Sequence, residues 1–174
     1  MALLLVIALA ACVTVPESAS ESESDDYSNI DRLMKDASWN TVTILEEHFG
    51  GLEAASGHVI AVYPFEENDQ ISERSDLLID GMIIELANAF RESGSTVSTV
   101  NRKNLNEILQ ELEFQGSDLV DPETQLAVGR QLGAHFIMTG TIFIGEGRDR
   151  ISFQLLEVET GILIGGFAVY LVKR

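Results

Sequence analysis

Few residues in this chain have the type and spacing to do chemistry, and each can be weighed by what that chemistry demands. Nucleophilic catalysis needs a Ser or Cys beside a base that a third group orients. The chain holds one cysteine, Cys12, so no internal disulfide can form, and no Gly-x-Ser-x-Gly elbow is present. Ser93-Gly94 falls where a helical pattern stops, so a helix C-cap explains it better than a nucleophile does. The three histidines, His48, His58 and His135, lack a second His, Cys or carboxylate at ligand-like helical spacing, so no metal site is expected. Gly145-Glu146-Gly147 looks like a fragment of a phosphate loop. It joins two strand-like segments with no helix after it, so a hairpin turn is expected there. Glu46-Glu47 and Glu66-Glu67 are adjacent acids, whereas glycoside hydrolysis needs two carboxylates facing each other across a pocket. No catalytic residue, cofactor or small-molecule substrate is therefore expected, and the chain is expected not to be an enzyme.

Charge narrows the partners. The formal net charge is −17, from 28 acidic and 11 basic residues. A nucleic-acid binder needs a basic face to neutralise phosphates, and nothing in this balance supplies one. Cys12 stands out by its position. Leu3 to Ala11 is an unbroken apolar run ending in small residues. It is too short to span a bilayer, which takes ~20 apolar residues, and suits a secretory leader with a small-residue cleavage site. Leu9-Ala10-Ala11-Cys12 resembles the lipobox of bacterial lipoproteins, in which the thiol is acylated and the mature chain starts at the cysteine. Met1-Ala2 departs from that pattern, because such leaders normally begin with Lys or Arg. No inner-membrane-retaining Asp follows Cys12, so the expected address is the outer membrane, facing the periplasm.

The expected organisation is a leader over 1–11, an acidic tether over 12–28 and one domain over 29–174. Glu17 to Asp26 is built of Ser, Ala, Glu and Asp alone. Such a stretch cannot bury enough apolar surface to offset the entropy of ordering, so a disordered spacer is expected. Fully extended from Cys12, it would reach ~50 Å at ~3.4 Å per residue.

Within the domain, Ile30, Leu33, Met34, Ala37, Thr41, Ile44, Leu45, His48 and Phe49 recur at helical spacing, and Gly50-Gly51 ends the run. His58 to Phe65 suits a buried strand with Pro64 at its exit. A polar loop over Glu66 to Arg74 then leads to a second helix. Ser75 is its expected cap, Leu78, Ile79, Met82, Ile83, Leu86 and Phe90 its apolar stripe, and Gly94 its stop. Thr96 to Val100 is strand-like, Asn101 to Leu112 helical, and Asp121-Pro122-Glu123 opens a further helix that ends at Gly133. Ala134 to Ile144, Ile151 to Val158 and Ile162 to Val172 complete the chain as strands, with Glu159-Thr160-Gly161 as a tight turn. The fold class expected is α/β (α+β): a mixed sheet flanked by helices, closing in an antiparallel meander.

Five segments, in order, carry a resemblance that covers nearly the whole domain. Val59 to Phe65, Val97 to Leu109, Phe114-Gln115-Gly116 with Asp121 to Glu123, Leu132 to Ile142, and Val158 to Gly161 are similar to the CsgG-like envelope lipoprotein superfamily. That group includes penicillin-binding-protein activators, flagellar lipoproteins and the curli secretion channel. The resemblance implies a lipid-anchored protein that binds and regulates an envelope protein partner, a peptidoglycan synthase in the activator version. The alternative it implies is a self-assembling structural or transport component of the outer membrane. A membrane barrel needs ~9–11 residues per inserted strand, and the link from Ile144 to Ile151 leaves no room for such a hairpin.

Overall fold

The computed structural model describes residues 28–68, 70–72, 74–100 and 121–172. Cys12, the acidic tether, the expected Asn101–Leu112 helix and the Phe114–Gly116 segment lie outside the described residues.

The described elements, in chain order, are α1 (Ser28–Phe49), α2 (Leu52–Ala55), β1 (Val59–Val62), β2 (Glu66–Glu67), β3 (Gln70–Ile71), α3 (Ser75–Glu92), β4 (Ser98–Thr99), α4 (Pro122–Gln131), β5 (Phe136–Phe143), β6 (Arg148–Glu157) and β7 (Leu163–Val172), of which the short α2, β2 and β3 were not expected. They form one mixed sheet of seven strands. β5 is its axis, with β6 and then β7 antiparallel on one side. On the other side β1 and β2 run parallel to β5 one after the other, flanked by β4 and β3.

β1 and β2 are in effect one strand interrupted by Tyr63-Pro64-Phe65. Val62 pairs with Met138, but Glu66 pairs with Thr141, so the interruption holds one residue more than β5 spends opposite it. Proline has no N–H to give the ladder, and the strand breaks where it sits. The Tyr63 N–H still donates to the Met138 carbonyl at 2.9 Å, and the Phe65 N–H turns away to the Ser75 hydroxyl at 2.6 Å.

That last bond corrects an expectation. Ser75 is buried and is the first residue of α3, and its hydroxyl is spent on Phe65 instead of capping the helix. The expected polar loop over Glu66 to Arg74 also contains a small hairpin, β2 and β3, with Asn68 at a positive φ of 52° in its turn. Two-residue strands carry too little alternation to be seen in sequence.

Each face of the sheet has its own core. α1 and α3 cover one face, where Ile60, Val62, Phe65, Phe136, Met138, Ile151, Phe153 and Leu155 meet Met34, Leu45, Met82 and Phe90. α4 covers one end of the other face, packing Val128 on Ala61, Tyr63, Ile137 and Val158. The Tyr63 hydroxyl donates to the Gln125 carbonyl at 2.9 Å and fixes α4 to the sheet. Burial pushes the Tyr63 phenol above its ordinary pKa.

Candidate docking face

The outer face of the antiparallel strands follows from their pleat. Ile151, Phe153 and Leu155 of β6 enter the helix-covered core, so Arg148, Arg150, Ser152 and Gln154 must point the other way. The register then sets Arg150 between Phe143 of β5 and Tyr170 of β7, and Arg148 opposite Val172. Phe143 and Tyr170 are each about half exposed (50% and 52%), as are the adjoining Ile144 and Val172. This is an apolar surface open to solvent, beyond the reach of α4.

Two cations lie on it. The Arg148 guanidinium sits 4.7 Å from the Tyr170 ring centre, and that of Arg150 sits 5.5 Å from the Phe143 ring centre. Stacking on a ring holds a guanidinium in place while its N–H edge stays available for a carboxylate. Among the described residues no ion pair joins a carboxylate to Arg148 or Arg150. In a chain with 28 acidic residues, two such arginines side by side are an island of opposite sign.

The turn that presents Arg148 is held from within. The Asp149 side chain is buried, accepts the Gly145 N–H at 3.1 Å and pairs with Arg74 at 3.2 Å. It thereby joins the β5–β6 turn to the start of α3. Gly145-Glu146-Gly147 is the hairpin turn expected of it, with Gly147 at φ 79°.

The three histidines gather at the opposite end of β5. His48 lies edge-on to Phe49 at 4.9 Å and to Phe136 at 6.2 Å, and the His58 and His135 rings are 4.8 Å apart. Both of the latter spend Nδ1 on the backbone. His58 Nδ1 faces the Ala55 carbonyl at 2.9 Å, and His135 Nδ1 accepts the Val59 N–H at 3.1 Å. The second bond requires an unprotonated Nδ1, which leaves the proton on Nε2. The His58 and His135 rings, with Phe49, Arg130, Glu157 and Glu159, border a cavity of about 420 Å³. No group of three or more metal-ligating side chains occurs among the described residues. Of the adjacent acids, Glu46 and Glu47 are exposed on α1, and Glu67 accepts the Ser72 hydroxyl at 3.0 Å.

Sequence reasoning did not single out Phe143, Arg148, Arg150 or Tyr170. The available signal was the alternation of Arg148 and Arg150 with the core residues of β6. Its meaning depends on Phe143 and Tyr170, which only the strand register brings alongside.

The family model for the peptidoglycan-synthase activator LpoB matches residues 74–164, more than half of the 174-residue chain. Among solved structures, the C-terminal domain of LpoB from Salmonella enterica aligns with a TM-score of 0.60 at 17% identity, covering 80% of this chain and 96% of that one. The corresponding Escherichia coli domain aligns at 0.59 and 18% identity, covering 80% and 98%. The longer Escherichia coli LpoB chain aligns at 0.55 and 19% identity, covering 68% of this chain and 58% of that one. No curated protein sequence matches the chain. The resemblance to the CsgG-like superfamily narrows accordingly to the activator family, and these findings give the wider label no support.

Proposed function

The chain belongs to the peptidoglycan-synthase activator LpoB family, and on that basis we propose that it is a non-enzymatic regulator that binds and stimulates a peptidoglycan synthase in the cell envelope. The family-model match over residues 74–164 carries this reading. An activator of this kind makes and breaks no bond. It contributes a surface, and the Phe143–Arg150–Tyr170 face has the composition that protein interfaces favour, aromatic side chains and Arg over a rigid sheet. Arg148 and Arg150 suit a carboxylate-bearing surface on the synthase.

The anchor in this proposal is Cys12, acylated at the outer membrane so that the domain faces the periplasm. No helix among the described residues is long and apolar enough to cross a membrane, and an acyl anchor would supply the attachment. A tether reaching ~50 Å favours a synthase domain close to that membrane.

The test is glycan polymerisation by the purified synthase of the same cell, with and without this protein. A several-fold rise in rate is expected. The double variant Arg148→Glu, Arg150→Glu should weaken binding about tenfold, about 1.4 kcal/mol, while Arg91→Glu, at an exposed position of α3, should bind normally. An unchanged rate at saturating protein would overturn the proposal.

A further inference from the structure

The basic island lies beside the point where the chain enters the domain. Asn29 and Arg32, in the first turns of α1, border a groove of about 390 Å³ together with Tyr170 and Val172 of β7. Among the described residues β7 pairs with β6 alone, so its other edge is open beside that groove. The sequence just before α1, Glu17 to Asp26, holds Glu17, Glu21, Glu23, Asp25 and Asp26 and no basic residue. At the other end of the chain, Lys173 and Arg174 directly follow Val172, the register partner of Arg148. The acidic stretch thus immediately precedes, in sequence, a helix that borders a groove with Tyr170, the ring on which Arg148 stacks.

The distances are short. Neighbouring strands lie ~4.8 Å apart, so the open edge of β7 is about one strand from Arg150 and about two from Phe143. A few extended residues at ~3.4 Å each cross that span. We infer that the acidic segment Glu17–Asp26 of this chain occupies the Phe143–Arg150–Tyr170 face in cis, its carboxylates on the Arg148 and Arg150 guanidiniums.

Linkage makes a weak contact sufficient, because a short linker gives an effective concentration in the ~mM range. The segment offers carboxylates and hydroxyls without large apolar side chains, so the contact is electrostatic and salt-labile. The Debye length falls from ~10 Å at 0.1 M salt to ~3 Å at 1 M. A synthase docking on this face would first displace the segment, and that consequence rests on the proposed function. The cis contact itself does not.

The test compares NMR spectra of the intact chain with those of a variant carrying Glu17→Gln, Glu21→Gln, Glu23→Gln, Asp25→Asn and Asp26→Asn. At low salt, within the domain, shifts should concentrate at Phe143, Arg148 to Ser152 and Tyr170 to Val172, independent of protein concentration. At ~1 M salt the same signals of the unmodified chain should move to the variant's positions. Coincident domain signals at low salt would overturn the inference. Shifts that grow with protein concentration would also overturn it, assigning the face to a second copy of the chain. No synthase is present, so failure here leaves the activator reading standing, and a failed polymerisation assay leaves the cis contact standing.

Discussion

Gly140 shows how closely single residues are fitted in the sheet. It lies mid-β5, and a Cβ built there would run into the Phe65 ring, which is fully buried and packs edge-on to Phe153 at 5.3 Å. Gly140→Ala must displace that ring, and overpacking of this kind costs about 1–3 kcal/mol. A denaturant midpoint equal to that of the unmodified protein would refute the fit. Tyr63 yields a second prediction. Its phenol pKa is raised by burial, so its contribution to stability is complete below the unfolded value of ~10 and is lost as pH rises above it. Tyr63→Phe should lose about 1 kcal/mol at neutral pH with the hydroxyl bond to Gln125. The variant should also show a shallower alkaline decline, and alkaline melts that run parallel would count against the assignment. Neither Gly140 nor Tyr63 was legible as special in sequence, because the residues that give them meaning lie far along the chain.

Elements were legible where several local signals agreed. Asp121-Pro122-Glu123 predicted a helix start, and Asp121 does accept the Thr124 N–H at 2.9 Å with Pro122 in the first turn of α4. Asp121→Ala removes that bond and should cost about 1 kcal/mol. The loss should appear as faster amide exchange in the first turn of α4, and unchanged exchange would show the cap to be dispensable. The α1 stripe ending at Gly50-Gly51 and the three long strands were found for the same reason, a pattern sustained over many residues. The Ser75 cap failed because a buried hydroxyl has tertiary suitors as well as local ones. The Phe65 N–H, freed by the break at Pro64, took it. The docking face was hidden by the same logic, since period-two alternation says which side chains share a face of one strand and nothing about which strand lies alongside.

For the whole molecule, the decisive division is between the described domain and the segment proposed to hold it at the membrane. Both described cores are built from Ile30 onward, and Cys12 stands well before that point in the chain. Cys12→Ala should therefore leave thermal unfolding of the domain unchanged while abolishing its proposed acyl attachment. Acyl chains bind a bilayer at ~0.8 kcal/mol per buried CH₂. Against that, a chain with a net charge of −17 is repelled by anionic lipid instead of held by it. The variant is thus expected in the soluble fraction after cell breakage and washing, folded, and still able to stimulate a synthase in a detergent-solubilised assay. In intact cells it should fail to do so, because the anchor sets where the partner is met. A processed Cys12→Ala protein that remains with the membranes would show that something other than this thiol holds it there.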